Sequence, residues 1–446
     1  MPYTLSVAVL TPAHIDLARR ADAVHLSGLL SYSSSAEYPP GTLVRVPLGK
    51  RETLGIVWRQ TAVNEPVSTD AHMPTKLREI TAAFELAEPL NNSWRKLIEF
   101  TAAYYHRSVG EIALNALPPA LRSLSPEQWA RRQRRKLTRP QRLEATPSSI
   151  ATLTPEQNQA LENIQTQPGP FLLFGATGSG KTEVYLQAVH RALLEDPSAQ
   201  VLILVPEINL TPQLEERFLH RFAPIYGTQS VIAIHSGLTP AQRLSNWLAS
   251  HRGAADHGVR IILGTRMAIF ASIPGLKLIV VDEEHDPSYK SQDGARFSAR
   301  DLAVYRGRLE GAKVILGSAT PALESWRHAK TFAPQPSRYQ RVDMPSRIGL
   351  GALPKVVLVD MTQQPAKTVF APALVAAITQ RLARGEQCMV LLNRRGYAPV
   401  LSCLACGWKS DCAHCSAHKV FHKIDRTLRC HHCGLTEHVP KACPEC

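Results

Sequence analysis

Long apolar runs are missing from this sequence: none approaches the ~18 consecutive apolar residues that a membrane-spanning helix requires. The opening residues, MPYTLSVAVLTPAHIDLARR, lack a basic segment followed by a long apolar stretch and a small-residue cleavage site, so no secretory leader is read here. The expected compartment is the cytoplasm, with no membrane partner. Internal repeats and low-complexity tracts are also missing. Acidic residues are outnumbered: 51 Lys+Arg against 37 Asp+Glu leave a formal net charge of +14. Such a field favours polyanions such as nucleic acid, although positive charge also serves solubility alone. Cysteine is scarce until the end, where eight of the nine lie between Cys403 and Cys446. Without an export signal, that crowding points to zinc rather than to disulfides. The ninth, Cys388, precedes MVLL and is expected to be a buried strand residue.

A chain of 446 residues is long enough for two or three domains. Residues 1–115 read as a first unit, in which GTLVRVPLG and LGIVW form a hairpin or small barrel. A helix follows in SWRKLIEFTAAYYH, with Trp94, Leu97, Ile98 and Thr101/Ala102 at helical spacing. Residues 116–150 read as a linker, punctuated by Pro118, Pro119, Pro126, Pro140 and Pro147. Its basic run from Arg131 to Arg142 is either a solvated segment or a contact for nucleic-acid phosphate. From 151 the runs FLLF, VLILV, VIAI, RIILG, LIVVD and KVILG alternate with helical stretches, the pattern of a parallel sheet with crossover helices. The expected fold class is α/β: a P-loop lobe over 151–345, beginning a second, incomplete lobe over 346–401 with KVVLVD and CMVLLNRRG as its strands. A cysteine module closes the chain over 402–446.

The segment GATGSGKT, Gly175 to Thr182, fits G-x-x-x-x-G-K-[ST], with FLLF as the strand before it and TEVYLQAVHRALLE as the helix after it. Glycine freedom lets the N–H groups of Gly175, Ala176, Thr177, Gly178, Ser179 and Gly180 approach phosphate oxygens closely. Lys181 suits the β/γ-phosphates of ATP and Thr182 suits Mg²⁺, and the helix dipole adds to both. In LKLIVVDEEHD an apolar strand delivers Asp282 and Glu283 at its carboxyl end, where open α/β sheets bind ligands. Asp282 suits the Mg²⁺ shell, and Glu283 suits orienting and deprotonating the attacking water. A DEEH alone is readily a solvated acidic turn; together with the P-loop it predicts ATP hydrolysis rather than binding alone.

In order, LTPEQNQA, GATGSGKT, VPEINLTPQ, GTR, DEEH and GSATPALES resemble the motifs of superfamily 2 helicases. The longer runs VPEINLTPQLEERF, HSGLTPAQRLSNW, VDEEHDPSYKSQDGARFSARDLAVYR and LLNRRGYAP resemble the bacterial replication-restart helicases, over 1–115 and 151–446. The resemblance implies an ATP-dependent 3′→5′ DNA helicase of the bacterial cytoplasm that recognises stalled forks and initiates primosome assembly. Its implied partners are forked and single-stranded DNA, primosome proteins and single-strand-binding protein. It also implies that Gln157 recognises adenine, that Gly264, Thr265 and Arg266 touch the DNA backbone, and that Ser318 and Thr320 couple hydrolysis to strand movement. DPSYKSQDGARFSARD resembles a loop that senses single-stranded DNA; Tyr289 and Phe297 either stack on bases or belong to the core. Ala295 stands where a Trp is expected, which implies looser coupling between DNA and ATP. The amino-terminal unit resembles a domain for the 3′ end of a nascent strand, although Leu30, Ser31 and Tyr32 replace an aromatic–Asp pair. The linker stands where the family places a winged-helix domain and is too short to bury such a core.

The pairs Cys403/Cys406, Cys412/Cys415, Cys430/Cys433 and Cys443/Cys446 are each C-x-x-C, and two such knuckles complete one closed zinc–sulfur site. Four make two structural Zn²⁺ sites, with no open position for catalysis by the metal. Spacing leaves nested and sequential pairing open. The resemblance implies nesting, with Cys412, Cys415, Cys430 and Cys433 inside and Cys403, Cys406, Cys443 and Cys446 outside. It also implies γ-phosphate arginines in a GRAGR-like motif after the cysteines, and no such motif occurs in these residues. The expectation is that this chain binds ATP and DNA but hydrolyses poorly, or serves as a non-catalytic scaffold for fork binding and primosome loading.

Overall fold

Leu5, Val7 and Val9 of strand β1 (Tyr3–Val9) are fully buried, as are Val44, Val46 and Val57 across the sheet from them. The other strands of this sheet are β2 (Leu29–Ser34), β3 (Leu43–Leu48), β4 (Arg51–Ala62) and β5 (Ala82–Phe84), in the order β2-β1-β4-β3-β5 with antiparallel pairing throughout. β3 and β4 form the expected hairpin. Its turn places Gly49 at φ 62°, a left-handed conformation that costs glycine little. The computed structural model describes residues 3–11, 28–62, 77–84, 86, 88–125, 127–129, 152–206, 211–254, 258–331, 336–348, 355–364, 368–391, 400–403, 405–415, 417–431 and 433–446. The basic run 131–142 and the NRRGYAP segment lie outside these residues.

Helix α1 (Asn92–Tyr104) begins where the Asn91 side chain accepts from Trp94 N–H at 2.7 Å, an N-cap that satisfies one free donor. Its buried residues are Trp94, Leu97, Ile98, Thr101 and Ala102, the stripe expected from the spacing. Helix α2 (Val109–Ala116), capped by Ser108, and the short α3 (Pro119–Ser123) complete the amino-terminal layer.

The second sheet has seven strands: β6 (Phe171–Gly175), β7 (Gln200–Leu204), β8 (Val231–Ile234), β9 (Ile261–Gly264), β10 (Leu276–Val281), β11 (Lys313–Ser318) and β12 (Gln340–Met344). Their order is β12-β6-β11-β10-β7-β9-β8, all parallel. Every residue of β7 and β9 is buried, which is why these strands read as unbroken apolar runs. Helix α4 (Pro155–Thr166) precedes β6, and the crossover helices are α5 (Lys181–Glu195), α6 (Thr211–Tyr226), α7 (Pro240–Arg252), α8 (Ala299–Glu310) and α9 (Leu323–His328). α4 and α7 each start at a Thr-Gln capping box, Thr154/Gln157 and Thr239/Gln242.

The two sheets belong to one compact unit, Met1–Gly351, and share a continuous apolar core. Trp94 Nε1 donates to the Phe270 carbonyl at 2.8 Å, and the Phe100 ring of α1 stacks on Tyr305 of α8 with centroids 3.7 Å apart. Buried His251 of α7 lies 2.7 Å from the Glu88 carbonyl. The amino-terminal unit inferred from composition is therefore welded to the P-loop lobe by its helix.

The second unit, Ala352–Cys446, contains α10 (Pro372–Ala383) and a small antiparallel sheet of β13 (Val420–His422), β14 (Thr427–Arg429) and β15 (Thr436–His438). KVVLVD and the CMVL run are not strands: Val356 is 78%, Leu358 92% and Met389 97% exposed, and Cys388 is exposed rather than buried. A β-branched run becomes a strand only when a neighbouring strand satisfies its N–H and C=O groups, and among the described residues no strand pairs with either run. Among the described residues no helix is long and apolar enough to cross a membrane.

Candidate functional site

β6 ends at Gly175, and the chain turns through Gly178 (φ 85°) and Gly180 (φ 81°) before α5 begins at Lys181. A Cβ on Gly180 would lie 2.4 Å from Gln157 Nε2 in a backbone region that side chains avoid. The loop is braced internally: Ser179 N–H donates to the Ala176 carbonyl, Ala176 N–H to Met344, and Lys181 Nζ to the Gly175 carbonyl at 2.9 Å. Ser179 Oγ is buried without a hydrogen-bond partner. A loop of left-handed glycines with an unpartnered buried hydroxyl, opening onto a helix N-terminus beside a lysine, fits a nucleotide polyphosphate.

Gln157 adjoins this loop. Its Nε2 donates to the Gly180 carbonyl at 3.3 Å and its Oε1 accepts from Thr154 N–H at 2.9 Å. At 1% exposed, it braces the loop and presents no free edge to solvent in this conformation.

β10 lies between β7 and β11, so Asp282 emerges at the carboxyl end of the sheet facing α5. Its N–H donates to the Leu204 carbonyl, and its Oδ1 accepts from Tyr185 O–H at 3.0 Å. Burial, and then the neighbouring Glu283, push the Asp282 carboxyl above the usual aspartate range. Burial also holds the Tyr185 phenol well above its ordinary range, so Tyr185 is a neutral donor at every physiological pH. Gly317 makes this contact possible, since a Cβ there would lie 1.7 Å from the Tyr185 hydroxyl. Glu283 takes φ 45°, a left-handed conformation uncommon outside glycine and found where sites hold strain.

Thr177, Gly178, Gly180, Lys181, Thr182, Asp282 and Glu283 line one cleft of about 1020 Å³. Its far wall is Glu216, Arg217, His220 and Arg221 of α6, with Arg221 Nη2 held on both oxygens of Glu183 at 2.7 and 2.9 Å. The acidic motif and the P-loop thus share one cavity, which can hold a magnesium-bound nucleotide.

Three contributors carry no role in the sequence reading. His285 Nδ1 lies 2.7 Å from Ser318 Oγ and 3.6 Å from Glu283 Oε2, while its Nε2 lies 3.4 Å from Thr320 Oγ1. Buried Glu284 accepts from Ala322 N–H at 2.7 Å and from Ser325 O–H at 2.8 Å, and pairs with Arg300 at 3.4 Å. The last two residues of DEEH therefore grip GSATPALES, His285 at Ser318 and Thr320 and Glu284 at Ala322 and Ser325. Their place inside the motif was the available signal. Tyr185 has none, because its partners are remote in the chain.

The proposed DNA contacts divide. Gly264 ends β9, and Thr265, the next residue, donates its N–H to the Ile234 carbonyl. Arg266 Nη1 donates to the carbonyls of Ser288 and Lys290 at 3.0 and 3.2 Å, bracing the loop that follows the acidic motif. Tyr289 and Phe297 are core residues, 2% and 6% exposed, and so cannot stack on bases in this conformation. The Tyr289 hydroxyl donates to the Asp282 and Leu204 carbonyls, and Phe297 packs edge-on against Phe270. Their apolar faces are worth more inside the lobe than in water. Tyr32 is likewise buried, with its hydroxyl on the Pro47 carbonyl, whereas Ser31 is exposed.

In the second unit, Cys403, Cys406, Cys443 and Cys446 form one cluster and Cys412, Cys415, Cys430 and Cys433 the other, each with its sulfurs within 4.8 Å of one another. Cross-pair sulfur distances are 3.6 and 3.5 Å in the first and 3.4 and 3.5 Å in the second. A tetrahedral ion with bonds of about 2.3 Å separates its sulfurs by about 3.8 Å, so both clusters suit zinc and the pairing is nested. Gly407 and Gly434 take φ 77° and 83°, and each donates its N–H back to the first cysteine of its knuckle.

Comparison with known proteins agrees with this geometry. Residues 15–118 match the 3′ DNA-binding domain model of PriA, residues 123–328 the DEAD/DEAH box helicase model, and residues 412–437 the PriA DNA helicase Cys-rich region. The replication restart protein PriA of Rickettsia prowazekii is 35% identical over 408 residues, covering 91% of this chain and 58% of that protein. Its counterpart in Bacillus subtilis is 39% identical over 302 residues, covering 66% of this chain and 36% of that protein. This chain thus spans about 58% of the length of the Rickettsia relative. By its domains and their order, the chain belongs to the PriA family of replication restart proteins.

Proposed function

We propose that this chain carries the DNA-recognising and nucleotide-binding portion of an ATP-dependent 3′→5′ helicase that acts at stalled forks and initiates primosome assembly. The observation that supports it most is the single cleft shared by Lys181, Thr182, Asp282 and Glu283, with His285 lying 3.6 Å from Glu283 and within hydrogen-bond distance of Ser318 and Thr320. Bound Mg²⁺ would neutralise charge on the phosphates during transfer. On this reading Thr182 and Asp282 would hold that ion, and the P-loop N–H groups and Lys181 would bind the phosphates. Glu283 would orient water and take its proton, and His285 would relay its position to the GSAT segment. Gln157 braces the P-loop and engages adenine after a local shift. Gly264, Thr265 and Arg266 lie beside the loop after the acidic motif, on the reading that DNA passes there.

The amino-terminal sheet, matched by a 3′ DNA-binding domain model, is read as the fork-recognition element. The cysteine clusters are read as two structural Zn²⁺ sites, and primosome proteins and single-strand-binding protein as partners. Lys181→Ala tests the core of the proposal. Nucleotide affinity should fall at least tenfold while affinity for forked DNA stays within twofold. Nucleotide binding that survives the substitution would refute the assignment.

A further inference from the structure

Two histidines that belong to neither cysteine cluster bring their distal nitrogens together on the surface of the second unit. His422 ends β13, and His431 follows Cys430 of the inner cluster. Their Nε2 atoms lie 3.0 Å apart, with ring centroids 5.1 Å apart and ring planes at 47°. His431 is exposed and His422 half-buried. One zinc ion bound to both nitrogens at about 2.05 Å would separate them by about 2.9 Å at a right angle and by about 3.3 Å at the tetrahedral angle. The observed separation falls between these two values. A direct hydrogen bond also fits a 3.0 Å contact, but at a wet surface water serves each ring equally well, so such a bond gives the pairing little net advantage.

The backbone beneath each ring is fixed by something other than the pair. Phe421, next to His422, stands opposite buried Leu428 in the sheet. Buried Cys430, next to His431, has its sulfur 3.5 Å from that of Cys415. Both imidazoles thus stand on a frame set by the small sheet and the inner cluster, which is how ligands are held ready for an ion. The surroundings also tolerate added positive charge. His422, Thr427 and His438 lie directly opposite one another across the three strands and share one face. Arg429, two residues along that face from Thr427, is paired with Asp425.

We propose that His422 and His431 form a third metal site on the cysteine module, an exchangeable one for a borderline divalent ion such as Zn²⁺. Imidazole suits zinc, nickel and copper, whereas Mg²⁺ and Ca²⁺ want oxygen ligands that this pair does not offer. Two protein ligands leave the remaining coordination positions to water, so the site is open and weak where the four-thiolate sites are closed and tight. A mild chelator therefore empties it and leaves the cysteine clusters loaded. The assignment does not depend on the nucleotide or DNA binding proposed above.

The test counts zinc twice on the 446-residue chain. Elemental analysis after passage over a weak chelating resin gives the tightly held zinc, and a second count follows dialysis against micromolar Zn²⁺. The gain between the two should be one ion per chain. In His422→Gln and in His431→Gln the gain should vanish while the resin-resistant zinc stays unchanged. A second measurement needs no variant: in chain labelled with ¹⁵N-histidine, one equivalent of Zn²⁺ added after the resin should move the assigned Nε2 resonances of His422 and His431 together. No gain in the unsubstituted chain would overturn the proposal, as would a gain that persists in either variant. Loss of the resin-resistant zinc in both variants would make the pair a structural contact and overturn it too. Unmoved Nε2 resonances, or shifts spread over other histidines instead of these two, would do the same.

Discussion

Replacing Tyr185 with Phe removes one oxygen from a fully buried ring and leaves its packing in place. The lost contact is the 3.0 Å donation to Asp282 Oδ1. A hydrogen bond to a charged acceptor contributes about 1.5–3 kcal/mol. That is about tenfold to hundredfold in any equilibrium that requires the ionised carboxylate. Binding of a Mg²⁺-nucleotide is such an equilibrium, whereas nucleotide binding without Mg²⁺ is not. Burial and Glu283 already hold the folded-state Asp282 carboxyl above its usual range, and the Tyr185 bond opposes them. The sign follows: the protonated carboxyl is favoured in the folded chain, so ionising Asp282 costs stability as pH rises through its folded value. Conversely, Mg²⁺-dependent binding is lost on acidification at a higher pH than for an exposed aspartate. Tyr185→Phe should move that acid limb further toward neutral pH and weaken Mg²⁺-nucleotide affinity by about tenfold or more. Fluorescence titration of a nucleotide analogue across pH, with Mg²⁺ and with EDTA, measures both. An unchanged acid limb with unchanged Mg²⁺-dependent affinity would refute the assignment of Tyr185 as the group that positions Asp282.

Gly180→Ala should cost about 1–2 kcal/mol in backbone strain at φ 81° and displace Gln157, which thermal unfolding and nucleotide titration together would detect. Tyr289→Phe should leave affinity for single-stranded DNA within twofold. Tyr289→Ala should destabilise the fold by about 3–5 kcal/mol, as expected of a core ring, and denaturant unfolding separates the two outcomes. Trp94→Phe strands the Phe270 carbonyl and should lower stability by about 1–3 kcal/mol. Cys430→Ser should reduce bound zinc from two ions to one by elemental analysis, and chelation should unfold the second unit, because metal-binding energy in such modules is folding energy.

What was legible in the sequence shares one physical property: the interacting groups are close along the chain or carry a chemistry with few uses. The P-loop is a contiguous turn whose glycines have no cheaper explanation, and C-x-x-C places two thiolates on one turn whatever surrounds it. Which knuckle pairs with which depends on the β13-β14-β15 meander between them, and spacing does not encode that. Aromatic residues are ambiguous for the opposite reason, since a ring suits a base or a core equally well. Tyr289 and Phe297 were decided by Leu204 and Phe270, both distant in sequence. The runs at KVVLVD and CMVL show that β propensity is a statement about available neighbours.

The stripe on α1 illustrates the same limit at the level of domains. Trp94, Leu97, Ile98, Thr101 and Ala102 announce an amphipathic helix, but a stripe does not name its target. Here Trp94 reaches the lobe at Phe270, and Phe100, off the buried stripe, stacks on Tyr305. One helix therefore serves two sheets: Trp94 of the stripe and Phe100 beside it meet the P-loop lobe, while Glu99 accepts from Trp58 of the amino-terminal sheet. That arrangement brings Tyr105 and Arg107 within reach of the loop beside Asp282. A helix that packed only against its own sheet would make neither the Trp94–Phe270 hydrogen bond nor the Phe100–Tyr305 stack that join the amino-terminal layer to the P-loop lobe.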